Sequence, residues 1–436
     1  MTSITVFSRS CCALLTFFLL LQAPAYADTD QEQQSTTYRQ LEIFSNVLSI
    51  LQQNYVDEID TKEALNGAIK GLLLSLDPHS SYLPPEDFRE LQEETSGSFS
   101  GIGIEVTIKN ELLTIVSPIA DTPADRAGLQ ANDVILEIDG EKTKNMGSFE
   151  AIKKLRGPTG SKVTLAVHRQ EWEEAKTFTL TRELISIQSV KSEFLAPGFG
   201  YIRITNFQSH TAGDFKVKLN ELNDEQKVKG LIVDLRNNPG GLLDQAVAVA
   251  DVFLSSGNIV YTRGRRADQD NTYTAHSQPN DVRMPLVVLV NEGSASASEI
   301  VAGAVQAQKR GIIVGMRTFG KGSVQTVIPL PDGAGLRMTT ATYFTPDNRS
   351  IQARGIVPDV EVPLAPCIEQ PDQNSHKILK EADLDGHLPA NISPTEGGDE
   401  TPPPALSPKL AEDNQLRTAY NILKSIDLYA TFGKKQ

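Results

Sequence analysis

The sequence predicts an α/β core carrying an inserted, mostly-β module, with helical segments at both ends of the chain. Three observations predict it. The apolar runs GLIVDLR (Gly230 to Arg236) and PLVVLVN (Pro285 to Asn291) read as buried strands, and helical stretches alternate with them. Short runs of period-two patterning, set between glycine and proline turns, fill Ser96 to about Arg182. Apolar residues at spacings of three and four mark helices near both termini.

Taken in order, residues 1–27 differ in kind from the rest of the chain. Arg9 is their only charge, the apolar run Cys11 to Leu21 is short for a membrane span, and Ala25-Tyr26-Ala27 has a small-x-small pattern. We expect a signal peptide cut before Asp28, with a retained membrane anchor as the other reading. Its loss would take the formal charge from −14 to −15 and leave Cys367 as the single cysteine, so stability must come from the core and not from a disulfide. The acidic balance offers no Lys/Arg stripe for phosphates, which argues against a nucleic-acid partner.

Residues 28–95 read as an N-terminal helical segment. Leu41, Phe44, Leu48, Leu51 and Tyr55 form one stripe, and a second helical stretch ends at Asp77-Pro78. The stripe packs onto the rest of the chain or onto a partner subunit; the pattern leaves both open. Residues 96–182 hold the strand-like runs GIGIEVTI, LLTIVSPI, DVILEIDG, KVTLAVHR and TFTLTREL, with one helical piece at SFEAIKKLRG. Residues 183–366 form the α/β core, with helices expected at LLDQAVAVADVFLSSG and ASEIVAGAVQAQKR and a further strand at GIIVG. Residues 367–436 comprise a Pro-rich acidic linker, with six prolines between Pro389 and Pro408, and a final helix whose apolar face is Leu416, Tyr420, Leu423 and Ile426.

The chemistry concentrates at three turns. Asn291 to Ile300 reads NEGSASASEI and follows a strand, so a serine there stands at a strand-to-helix corner where the next N–H points outward. Ser296 and Glu299 also satisfy the S-x-x-E capping box, a purely structural role. Downstream, Lys321 sits between Gly320 and Gly322. Gly315 to Lys321 nearly matches a phosphate-binding P-loop, yet Gly322 takes the place of the Mg²⁺-binding hydroxyl and the next residues pattern as a strand. A glycine-flanked lysine can instead serve as a general base if burial lowers its pKa. Gln325, four residues on, could orient the amine through its side-chain carbonyl. The third turn, NNPGG ending at Gly241, frees backbone N–H groups to meet developing negative charge, or is a plain strand-to-helix connection. The sequence supports no zinc cage and no cysteine nucleophile, and no metal or cofactor is expected. Spacing alone does not exclude a Ser-His-Asp triad.

In this order, GIGIEV, DTPADRAGLQANDVILEIDGE, DLRNNPGG, SASASEI and RTFGKGSVQT resemble the carboxyl-terminal processing peptidases, or tail-specific proteases, from about Leu41 to Pro366. The resemblance implies an α/β protease core with an inserted PDZ domain. It assigns Ser296 as nucleophile, Lys321 as general base 25 residues later, Gln325 as the residue orienting the lysine, and the N–H groups of Gly241 and Ala297 as oxyanion donors; Ser294 and Ser298 become structural. Gly101, Ile102, Gly103 and Ile104 correspond to the PDZ loop and strand that capture a terminal carboxylate. The implied enzyme is an exported, periplasmic serine endopeptidase, with or without membrane attachment. It would act on proteins with hydrophobic C-termini, self-associate through its terminal helices, and work in some cases through an adaptor lipoprotein. A PDZ adaptor or chaperone without catalysis is the alternative.

Overall fold

A computed structural model describes residues 28–109, 111–144, 146–278, 282–365, 384, 387–388 and 407–432. The expected signal peptide, Cys367, and the linker from Pro389 up to Leu406 lie outside the described residues. No helix among the described residues is long and apolar enough to cross a membrane.

The chain divides into two units at Leu76/Asp77. In the first, helices run over Asp28–Asn54 and Thr61–Leu74. Asp60 caps the second helix by accepting the N–H groups of Lys62 and Glu63 at 2.8 and 3.1 Å. Leu41, Phe44 and Leu51 of the predicted stripe are exposed.

The second unit is built on a sheet whose order is Val190–Ala196, Phe199–Ile204, Gly230–Asp234, Leu286–Val290, Ile312–Gly315, Val360–Glu361, with only the first pair antiparallel. Gly230–Asp234 and Leu286–Val290 are buried along their whole length, which is why they read as continuous apolar runs. Alternate residues feed opposite faces. Leu231, Val233, Val288 and Val290 join Phe215, Val249 and Val301 of the helices Thr211–Glu225, Leu243–Asp251 and Ala297–Ala307. Ile232, Val287 and Leu289 join Leu416, Ala419, Tyr420 and Leu423 of the C-terminal helix Asn414–Phe432. The final helix therefore docks on its own chain. Each such fully buried side chain contributes about 1.5–3 kcal/mol of hydrophobic stabilisation.

A second sheet borders this core. Gly335–Phe344 pairs with Ser81–Leu83, Asn258–Gly264 and Ser323–Pro329. The inserted module begins and ends on one two-stranded ribbon, Ser98–Gly101 against Glu183–Ser186, which brings its two ends together. Its own antiparallel sheet runs from Ile104–Lys109 through Leu112–Pro118, Val134–Ile138 and Lys162–His168 to Lys176–Thr181. Val163, Leu165 and Val167 point inward at alternate positions, as the period-two pattern predicts.

Two elements differ from expectation. GIGIEVTI is broken at Ile102-Gly103, where Gly103 has φ 79° and a methyl would meet Thr122 Cβ at 2.3 Å. The helix expected to reach Gly257 ends at Asp251, because the chain tightens to i→i−3 bonds from Val252 and Phe253 onto Val249 and Ala250.

Candidate active site

Three turns meet at the C-terminal ends of the parallel strands. The one after Leu286–Val290 carries the serines. Ser294 Oγ donates to the Leu235 carbonyl at 2.8 Å and accepts the Asn291 N–H at 3.0 Å; Ser298 Oγ donates to the Asn238 carbonyl at 3.0 Å. Both hydroxyls are committed to backbone. Ser296 is different. It adopts φ 52°, ψ −110°, a conformation that costs an L-residue of order 1–3 kcal/mol and persists only where its surroundings enforce it. Burial pushes the Tyr343 phenol up to about 12, and its interaction with the Ser296 side chain opposes that rise.

The Gly240-Gly241 turn packs against Ser296. Asn238 shapes it: its Nδ2 donates to the Ile204 carbonyl and its Oδ1 accepts the Gly240 N–H, both at 2.9 Å, while its own carbonyl accepts the Ala295 N–H at 3.0 Å. A methyl on Gly240 would stand 2.9 Å from Ser296 Cβ, and one on Gly241 would stand 2.1 Å from the Phe207 carbonyl oxygen. Only glycine fits either place. Among the described residues, neither the Gly241 N–H nor the Ala297 N–H has a hydrogen-bond acceptor. At the root of this turn Arg236 reaches Asp234 and Asp413 at 2.7 Å each and Gln415 at 3.0 Å, tying the turn to the C-terminal helix region.

Lys321 lies on the turn after Ile312–Gly315. A methyl on Gly322 would be 2.3 Å from Gln352 N, so this flanking glycine serves close packing against Ile351 and Gln352, as Gly320 does against Ala353–Gly355. The strand Ser323–Pro329 follows, where a P-loop requires a helix. The lysine is half-buried, and burial, with a smaller push from Arg337, lowers its pKa. Among the described residues its amine has no ion-pair or hydrogen-bond partner.

Glu299 joins the serine and lysine turns. Its Oε2 accepts the N–H of Ser296 at 2.8 Å and of Lys321 at 2.9 Å, and its Oε1 accepts the Gly320 N–H at 2.7 Å and the Thr318 hydroxyl. The sequence marks Glu299 only as half of a capping box; that cap exists, and three further bonds leave the helix. Gln325 is held from strand Ser323–Pro329 by Nε2 donation to Ser323 Oγ at 2.8 Å and Thr339 Oγ1 at 3.4 Å. Its side-chain carbonyl is left without a partner among the described residues. The extended segment begins only at Ser323, and a bulge between Val324 and Gln325 interrupts its alternation.

In the inserted module, Gly101 ends one strand and Ile104 begins the sheet's edge strand. The Ile102 and Gly103 carbonyls accept from Ala124 and Ile119, while the N–H groups of Ile102 and Gly103 have no acceptor among the described residues. The helix Ser148–Leu155 packs along this edge, and Ile102, Ala151 and Leu155 share one apolar cluster. Gly101 lies in the two-stranded ribbon and Ile104 in the module's own sheet, neither of which includes Leu286–Val290, the strand that leads to Ser296. Among the described residues no three His, Cys, Asp or Glu side chains are grouped to hold a metal ion, and no histidine hydrogen-bonds Ser296 or Lys321.

Comparison with known proteins bears on this geometry. Residues 198–362 match peptidase family S41, residues 114–169 a PDZ domain, and residues 20–87 the activating protease CtpB N-terminal domain. A carboxy-terminal-processing protease of Bartonella bacilliformis is 40% identical over 411 residues, covering 93% of this chain and 92% of its own. A carboxyl-terminal-processing protease of Synechocystis sp. is 42% identical over 343 residues, covering 77% and 78%. A solved structure titled photosystem II D1 C-terminal processing protease is 34% identical, with a TM-score of 0.44 over 73% of this chain and 86% of that one. The protein is thus a serine-type hydrolase with an inserted PDZ domain. Within that class the chain belongs to the carboxyl-terminal-processing proteases of peptidase family S41, a family of serine endopeptidases.

Proposed function

We propose that the protein cleaves exported proteins through a Ser296–Lys321 dyad, selecting substrates whose C-terminal tails dock on the PDZ domain. Lys321, neutral at working pH, takes the Ser296 proton; Ser296 Oγ attacks the peptide carbonyl, the amine departs with a proton, and water activated by Lys321 releases the acyl-enzyme. The observation that carries this reading is the half-buried Lys321 amine, without a partner among the described residues, on a turn bound to the same Glu299 oxygen as the Ser296 backbone. The free N–H groups of Gly241 and Ala297 are suited to the tetrahedral oxyanion. The free carbonyl of Gln325 is suited to orient the amine once substrate excludes water.

In the PDZ domain, a terminal carboxylate would accept the Ile102 and Gly103 N–H groups while the tail adds to the edge strand Ile104–Lys109. The substrates are proteins with a hydrophobic last residue. The apolar segment before Asp28 supports export to the periplasm, and the exposed stripe of the Asp28–Asn54 helix supports self-association. An adaptor lipoprotein that presents substrates is part of the proposal.

The test is cleavage of an unfolded protein with a hydrophobic tail. Ser296→Ala and Lys321→Ala should each abolish turnover and leave tail binding intact. Binding without any wild-type cleavage would make the protein an adaptor.

A further inference from the structure

We infer that Glu299 is a positioning residue whose carboxylate locks the serine turn and the lysine turn to one another through their backbones. The inference rests on the Ser296–Lys321 reading and deepens it. The two turns follow different strands, Leu286–Val290 and Ile312–Gly315, and have no covalent reason to keep register. Glu299 supplies one. Its side chain is fully buried, and four donors, the N–H groups of Ser296, Gly320 and Lys321 and the Thr318 hydroxyl, meet its two oxygens, two on each. That uses the accepting capacity of an ionised carboxylate. A helix cap needs the Ser296 bond alone, so capping leaves the other three unexplained.

The chemistry also explains why the residue is glutamate. Glutamine has one accepting oxygen: one orientation of its amide would press the NH₂ against the Ser296 and Lys321 N–H groups, and the other would turn it toward the Gly320 N–H and the Thr318 hydroxyl. Aspartate is one methylene short of the lysine turn. Burial raises the Glu299 pKa, and the hydrogen bonds from Thr318, Ser296, Gly320 and Lys321 oppose that rise. The negative charge faces backbone dipoles, so it holds the Lys321 turn without serving as a counter-ion for the amine. The charged group acting on that amine is Arg337.

The experiment uses the full chain and a quenched peptide with a hydrophobic C-terminus, measuring kcat, KM, the pH–rate profile and thermal melting. Glu299→Gln should fold, change KM by less than about threefold, and lower kcat by about 10²-fold or more, since small misplacements of reacting groups cost that much. Its rising pH limb should move to higher pH, because a loosened lysine turn admits water to the amine. A purely structural role would not move that limb. Thr318→Ser should retain more activity than Thr318→Val, which removes one donor from Glu299 and leaves the Ile356 N–H unpaired. Should Glu299→Gln fail to fold, the limb of Thr318→Val carries the same test. An unchanged limb, or a loss that only tracks the unfolded fraction, overturns the inference. With Ser296→Ala and Lys321→Ala both inactive, a normal Glu299→Gln would sink the positioning role alone; cleavage by either of those two would sink the dyad itself.

Discussion

A methyl group on Gly240 would stand 3.0 Å from the backbone nitrogen of Ala297. The turn after Gly230–Asp234 and the start of the Ala297–Ala307 helix are therefore in contact at the proposed oxyanion site. Gly240 also has φ 107°, which an L side chain rarely adopts. Gly240→Ala should lower kcat by about 10²–10³-fold, the usual loss for a displaced oxyanion donor, with little change in KM. Steady-state kinetics on a tailed peptide checks this.

Arg337 acts on Lys321 in a direction that can be worked out. Burial, then Arg337, lowers the lysine pKa, so with Lys321 as the proposed base the rate should rise with pH through a value below the usual lysine range. Arg337→Met removes the like charge and should shift the kcat/KM limb to higher pH while leaving the alkaline plateau in place. A limb that stays put would show that burial alone tunes the amine.

Lys321 should also cost stability. Its folded pKa lies below the unfolded value of 10.5, so the unfolded chain binds more protons between the two. Stability therefore rises as pH climbs through that window, and below it the penalty is fully present. Lys321→Met should abolish cleavage and raise the melting temperature at neutral pH, with the difference shrinking toward pH 10.5. Melting curves at several pH values check the sign.

The Asp234–Arg236–Asp413 cluster joins the Gly240-Gly241 turn to the C-terminal segment. Arg236→Met would leave the Asp234 carboxylate, which has no exposed surface, with only Tyr201 and the residue 236 N–H as donors. The expected loss is about 3–5 kcal/mol, the range for breaking a buried pair on one side. A lowered denaturant midpoint at unchanged slope checks it.

Gly103 tests the proposed tail site separately. A side chain there meets Thr122 and breaks the turn that frees the Ile102 and Gly103 N–H groups. Gly103→Val should weaken tail binding by at least tenfold in Kd, read by fluorescence anisotropy. Reaction of Ser296 with a small serine-directed reagent should persist.

The sequence made part of this site legible for physical reasons. Ser296, Lys321 and the double glycine stand at strand ends, and their small neighbours mark places where backbone comes close. Continuous apolar runs identified the central strands because both faces are covered. What pairs across the fold was not legible. Besides their local bonds, Asn238, Thr318 and Arg236 hold Ile204, Glu299 and Gln415, tens to hundreds of residues away, and no local spacing encodes that. Capping and catalysis at Ser296 looked like rival readings of one S-x-x-E pattern, yet the Glu299 carboxylate takes the cap bond and reaches the lysine turn as well. The final helix showed an apolar face but not its destination, since Leu195, Phe199 and Ile232 become a surface for it only after the sheet has formed.

The most direct test is peptide mapping by mass spectrometry after reaction with a fluorophosphonate at neutral pH. The account predicts one adduct, on Ser296, and its loss when Lys321 is replaced by alanine in protein that remains folded. An adduct on another residue, or undiminished labelling of Ser296 without Lys321, would contradict it.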